Sequence, residues 1–242
     1  MRRFAGLRNA LWRRELWLAY QPWQQQSINA AMTTFETDNF RNAFDELLAW
    51  RRDVRRFRPD SLPEGLLDRL VTTASLAPSV GLSQPWRFMR VRSDGARAAV
   101  RRNFEQCNTA ALGGYDGADA ELYARLKLEG LTDAPEQLAV FSDQATAQGR
   151  GLGRGTMPEM LDYSVVTAVH TLWLKARTFG LGVGWVSILN PAALADDLQI
   201  PLAWRLVAYL CIGFPQQLSQ EPELQRAGWE RRNLDGAQLL ER

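Results

Sequence analysis

Asp53 stands among five arginines, Arg51, Arg52, Arg55, Arg56 and Arg58, in the stretch RRDVRRFRPD at residues 51–60. The arginine side chain is a rigid fork of donors that matches phosphate or carboxylate, so a cluster this dense suits an anion. A carboxylate inside it has two roles open to it. It can be the structural counter-ion of its neighbours, or it can exchange a proton with whatever the arginines hold. On residue type alone the counter-ion is the simpler role. Other chemistry finds little support. His170 is the single histidine, so HExxH is impossible, and no GxSxG accompanies it. Cys107 and Cys211 form no CxxC, which argues against a disulfide framework or a metal site and fits a reducing compartment. GRGLGRGTMP, residues 149–158, is glycine-rich and basic but has neither the P-loop lysine nor the GxGxxG order.

These residues need elements to position them. Phe40, Phe44, Leu47 and Leu48 recur at helical spacing, with Asp38 as the expected N-cap. The arginine segment then runs extended into Pro59. A second helix carries Leu66, Leu67, Leu70 and Val71 and stops before Pro78, opening the loop APSVGLSQPW at 77–86. RFMRVR (87–92) alternates as a half-buried strand does. A weaker helix is predicted near 95–110, a flexible stretch at Gly113, Gly114 and Gly117, and a short strand over 138–142. From Met160 to Phe179 apolar residues cover nearly every face, as in a helix buried in a core or a subunit interface. His170 lies within it, in a structural setting. GLGVGWVSI (180–188) and LVAYLCI (206–212) read as buried strands.

The whole chain has 242 residues, is 46% hydrophobic, and carries a formal net charge of +2. That near-balance argues against a nucleic-acid partner. No run of eighteen apolar residues exists, so no membrane span is predicted, and a cytoplasmic location is expected. Residues 1–33 form an N-terminal extension with helically spaced Phe4, Leu7, Leu11 and Trp12, and Met32 is a plausible alternative start. One α+β domain is expected over residues 34–242.

Three blocks, RRDVRRF (51–57), APSVGLSQPWRF (77–88) and GLGVGWVSILNP (180–191), resemble the FMN-dependent nitroreductase family. LKLEG (126–130), LGR (152–154), WLKAR (173–177) and QEPELQRAGWERR (220–232) are similar to one subgroup, the BluB-type 5,6-dimethylbenzimidazole synthases. The resemblance implies a nitroreductase-like FMN-binding fold, with a central mixed sheet flanked by helices and a two-fold homodimer. Arg51, Arg52, Arg55 and Arg232 would surround the phosphate, ribityl chain and pyrimidine edge of FMN, beside Val54. Ser79 and Gln84 would reach the flavin across the dimer interface, where Leu82 replaces a common asparagine.

Two departures from ordinary nitroreductases match the subgroup. Asp53 stands where serine is usual, and Ser187 where proline is usual. The resemblance therefore implies catalytic roles for both, in the dioxygen-dependent fragmentation of reduced FMN to 5,6-dimethylbenzimidazole and erythrose 4-phosphate. The neighbouring arginines are expected to keep Asp53 charged. Reduced FMN would come from a separate flavin reductase. An NAD(P)H-dependent nitroreductase and a flavin-sequestering protein without turnover remain the alternatives.

Overall fold

The computed structural model describes residues 35–126 and 130–241. The chain divides after Leu48 into two compact units. The N-terminal extension of residues 1–33, and three of the five residues of LKLEG, lie outside the described residues.

Helix α1 (Asp38–Trp50), which runs through the division, begins one residue earlier than an Asp38 cap requires. Thr37 does the capping: its Oγ1 accepts from the Phe40 amide, and Asp38 in the first turn pairs with Arg41 at 2.6 Å. Phe35, Phe40 and Phe44 are exposed and meet ring to ring, Phe35 edge-on to Phe40 at 5.1 Å.

The second unit is built on a four-stranded sheet in the order β1-β2-β4-β3, with β1 Trp86–Arg90, β2 Glu136–Asp143, β3 Gly182–Val186 and β4 Trp204–Gly213. All three strand pairings are antiparallel. The mixed character expected from the sequence rests on one isolated parallel bridge, Asp53 to Val183. Both sheet faces are covered, which is why β2 and β4 read as continuous apolar runs rather than alternating ones. On one face Leu138, Val140, Leu210 and Ile212 pack with Val165, Val169 and Leu172 of helix α6 (Met160–Arg177), joined by helix α2 (Leu66–Ala74). On the other, Ala139, Phe141, Tyr209 and Cys211 pack with Val100, Leu131 and Leu194. These come from α3 (Asp94–Leu112), the single turn α5 (Gly130–Asp133) and α7 (Pro191–Asp197).

Helix α3 is longer than its weak periodicity suggests, and Ser93 caps it by accepting from the Ala96 amide. The glycine-rich stretch after it is not one flexible loop. It turns at Gly113 and Gly114 and enters α4 (Gly117–Arg125). Helix α6 is buried on most faces but leaves Tyr163, Val166 and His170 exposed along one stripe.

Candidate active site

The segment 51–57 lies against the edge strand β3, and glycine makes that possible. A Cβ on Gly184 would fall 2.3 Å from the Val54 carbonyl oxygen, and one on Gly182 would fall 2.6 Å from Val54 Cγ2. With both side chains absent, the Val54 amide donates to the Val183 carbonyl at 3.0 Å. Phe57, fully buried, anchors the far end in the core, and the Arg58 amide bonds the Phe214 carbonyl at 2.8 Å. In an extended segment alternate residues share a side, so Asp53, Arg55 and Phe57 turn the same way.

Asp53 Oδ1 accepts from the Trp185 amide at 2.9 Å, and Oδ2 lies 3.6 Å from Arg55 Nε. The Arg55 side chain is only 10% exposed, and its Nε is buried without a hydrogen bond; Asp53 remains 41% exposed. One carboxylate edge is thus held by protein while the rest opens to a cleft of about 270 Å³. Arg52, Arg55, Arg56, Gln216, Glu221 and Arg226 line the cleft together with Asp53. Loss of hydration pushes the Asp53 carboxyl up from its ordinary value, against the opposing pull of the Trp185 amide, Arg55 and Arg51. Loss of hydration is the largest of these influences, because one edge of the carboxylate is backed onto the β3 strand, while the arginines act as expected in favouring the charged form. The negative charge of Asp53 reaches Cys211 behind it, whose buried thiol is pushed up to about 12, chiefly by burial.

Arg51 and Arg52 form a second cluster with Arg232, brought from the C-terminal tail. Burial lowers both guanidinium pKa values first, and the charge of Arg232 lowers them further. Arg51 lies over the Trp173 ring at 5.2 Å, and Trp173 Nε1 donates to the Arg52 carbonyl at 3.3 Å. Arg52 is fixed by donating to the carbonyls of Gln220 and Arg51. Cations that lower one another's pKa repel, and an anion relieves that repulsion. The donor set therefore fits a phosphate, and the half-open Asp53 beside it fits a polar ring or polyol edge of the same ligand.

Ser187 is exposed and directly follows β3, two residues beyond the Trp185 amide that holds Asp53. Val54 acts through the backbone, as the residue seated on the two glycines. Ser79 and Gln84 line neither the Asp53 cleft nor the small pocket behind it. They bond each other, the Gln84 amide donating to Ser79 Oγ at 3.1 Å, and Gln84 also engages Ser75 and Gln148. The glycine-rich segment 149–158 closes on this loop, where a Cβ on Gly149 would lie 2.7 Å from the Gly81 carbonyl oxygen. Gly149 and Gly153, whose Cβ would fall 2.7 Å from Val80 Cγ2, serve close packing of the two loops.

Residue patterns passed over the Trp185 amide, the Trp173 ring and the Gly182–Gly184 pair. The pair did carry a signal, since glycine at alternate positions inside a strand marks close approach of another backbone.

A sheet covered on both faces, with an arginine segment bridged to its edge, is the frame of a flavin-binding nitroreductase, and the Nitroreductase family profile matches residues 48–214. The chain belongs to that family. It is 54% identical over 194 residues to a 5,6-dimethylbenzimidazole synthase of Rhodospirillum rubrum, an alignment covering 80% of this chain and 92% of the relative. It is 50% identical to a 5,6-dimethylbenzimidazole synthase of Rhodobacter capsulatus, covering 78% and 92% respectively. Among solved structures, an iodotyrosine deiodinase bound to FMN and 3-iodo-L-tyrosine superposes with a TM-score of 0.64 at 24% identity, covering 82% of this chain and 97% of the other, and shares the fold.

Proposed function

We propose that this chain is a 5,6-dimethylbenzimidazole synthase, which breaks reduced FMN, with dioxygen as the oxidant, into the benzimidazole, erythrose 4-phosphate and the remaining pyrimidine fragment of the flavin ring. The observation that carries the reading is Asp53. Its family relatives with that name match across four-fifths of the chain, and here the acid is backed onto the Trp185 amide, opens to the cleft, and is raised toward protonation by desolvation. A carboxyl so placed can both take and return a proton at a ligand held within reach.

Reduced FMN would supply the aromatic ring, the electrons and the sugar carbon of the product, with dioxygen as oxidant. Arg51, Arg52 and Arg232 would hold its phosphate as charge-assisted donors, and Arg55 its polar edge. Asp53 would hold or move the proton at the ribityl or ring-nitrogen edge. The Ser187 hydroxyl, on the same strand end, would donate to the opposite ring edge. Ser79 and Gln84 would enter from a second copy of the chain, with the exposed stripe of α6 in the homodimer contact. A separate flavin reductase would provide the reduced flavin, and the reaction would run in the cytoplasm. Among the described residues, no helix is long and apolar enough to cross a membrane.

The test supplies chemically reduced FMN and air, and follows the products by chromatography. Benzimidazole formation with stoichiometric flavin loss is expected. Intact oxidised FMN refutes the reading, and nitroarene reduction with NAD(P)H would then identify a conventional nitroreductase. Asp53→Ser is expected to retain flavin while product formation falls by about 10²-fold or more. Full yield from that variant removes Asp53 from the chemistry.

A further inference from the structure

Arg232 lies in a stretch of chain with almost nothing to hold it. From Arg226 to Asn233 every residue is exposed except Trp229. The turn before it uses Gly228 at φ +79°, a left-handed conformation suited to glycine. The Trp229 amide bonds the Leu224 carbonyl at 2.9 Å, and the Arg232 amide bonds Gln225 Oε1 at 3.1 Å. Exposed hydrogen bonds of this kind compete with water and fix a chain only weakly.

The Trp229 ring is the exception. It meets Tyr115 edge-on at 5.5 Å and Tyr123 at 6.2 Å, while the two tyrosines stack on each other at 4.8 Å. That platform is itself tied down. The Tyr123 hydroxyl donates to Asn108 Oδ1 at 2.9 Å, linking α4 to α3. Three residues beyond Trp229, Arg232 follows a tail that lies against the arginine segment: the Gln220 carbonyl accepts from Arg52 Nε, Glu223, Arg226 and Ala227 line the same cleft as Arg52, and the charge of Arg232 reaches Arg51 and Arg52. Edge-on and offset aromatic contacts are directional as well as apolar, so they fix an approach that a simple greasy contact would leave loose.

We infer that Trp229, clasped by Tyr115 and Tyr123, is a positioning residue that sets Arg232 into the cation cluster and thereby confers selectivity for the phosphorylated flavin over the unphosphorylated one. The inference rests on the reading of that cluster as the phosphate site. Trp229 touches no ligand in this account; it acts through Arg232. The tail carrying Arg232 and the segment carrying Arg51 are far apart in sequence, and the aromatic clasp is what makes their meeting reproducible.

Flavin fluorescence titrations of the full chain with FMN and with riboflavin test it. Wild type is expected to prefer FMN. Trp229→Ala should weaken FMN binding about tenfold, the scale of one charge-assisted contact, and leave riboflavin within about twofold. Trp229→Phe should restore most of the preference, and Tyr115→Leu should reduce it in the same direction. In an Arg232→Ala background, Trp229→Ala should cost nothing further, because residues acting through one another are not additive. Equal losses for both flavins, or additive losses with Arg232→Ala, overturn the clasp. A wild type with no preference for FMN overturns the phosphate site itself, and the clasp with it. A wild-type preference that Trp229→Ala retains overturns the clasp alone.

Discussion

Gly184→Ala tests whether the arginine segment is held where the chemistry needs it. The new Cβ would fall 2.3 Å from the Val54 carbonyl oxygen and 3.4 Å from its carbon, with Phe57 Cζ at 3.7 Å. A carbon and a carbonyl oxygen settle at about 3.3 Å or more, so the segment must retreat by about 1 Å. Two bonds lie in the path of that movement, Val54 amide to Val183 carbonyl at 3.0 Å and Trp185 amide to Asp53 Oδ1 at 2.9 Å. The first is worth about 1 kcal/mol and the second, to a carboxyl, about 1.5–3, which together give a loss of about 2–4 kcal/mol. For a domain of this size each kcal/mol moves the melting temperature by about 2–4 °C, so a fall on the order of 10 °C is expected by circular dichroism. Benzimidazole yield should collapse with it, since Asp53 loses its support. Gly155→Ala is the control: a Cβ there meets nothing within 4 Å and should change neither property. A Gly184→Ala protein that melts within about 2 °C of wild type and keeps full yield refutes the argument that this contact holds Asp53.

Because the fold raises the Asp53 carboxyl above its ordinary 3.8, the native state binds that proton more tightly than the unfolded chain does. The stabilising contribution is full below the ordinary value and is lost as pH rises through the raised one. Without flavin, Asp53→Asn should therefore melt above wild type at neutral pH, with the gap closing as pH falls toward the ordinary carboxylate value; a variant less stable than wild type at pH 7 contradicts this. Tyr209→Phe removes the 2.6 Å donor to Gln137 Oε1 in the fully buried pair and leaves that oxygen unsatisfied. It should cost about 1–3 kcal/mol in urea unfolding, and an unchanged midpoint would show that Gln137 finds another partner.

Much of the frame was legible because both faces of the sheet are covered. The apolar runs of β2 and β4 and the all-round helix α6 follow directly from that burial. Helix α4 was hidden because three nearby glycines read as a flexible loop, although Gly113 keeps an ordinary right-handed conformation and, of the three, only Gly117, at the head of α4, takes a positive φ. The arginine cluster was legible by density alone, but its division was not. Arg55 is paired and nearly enclosed, while Arg51 and Arg52 look outward to Arg232. Residue type gives the sign of a charge but not its hydration, and loss of hydration is the strongest single influence on Asp53. Ser79 and Gln84 belong to a separate loop in a single chain, and no pattern within one sequence states which copy a residue serves.

The arginine cluster also bears on kinetics. In the proposed reaction the phosphate takes no part in bond breaking, so Arg51, Arg52 and Arg232 meet the same group before and after turnover. Their grip cannot distinguish substrate from the departing sugar phosphate. Once the flat ring has gone, that grip would still retain the fragment, and the enzyme would then be inhibited by its own second product. Erythrose 4-phosphate should compete with reduced FMN, and free benzimidazole, which carries no phosphate, should compete far less.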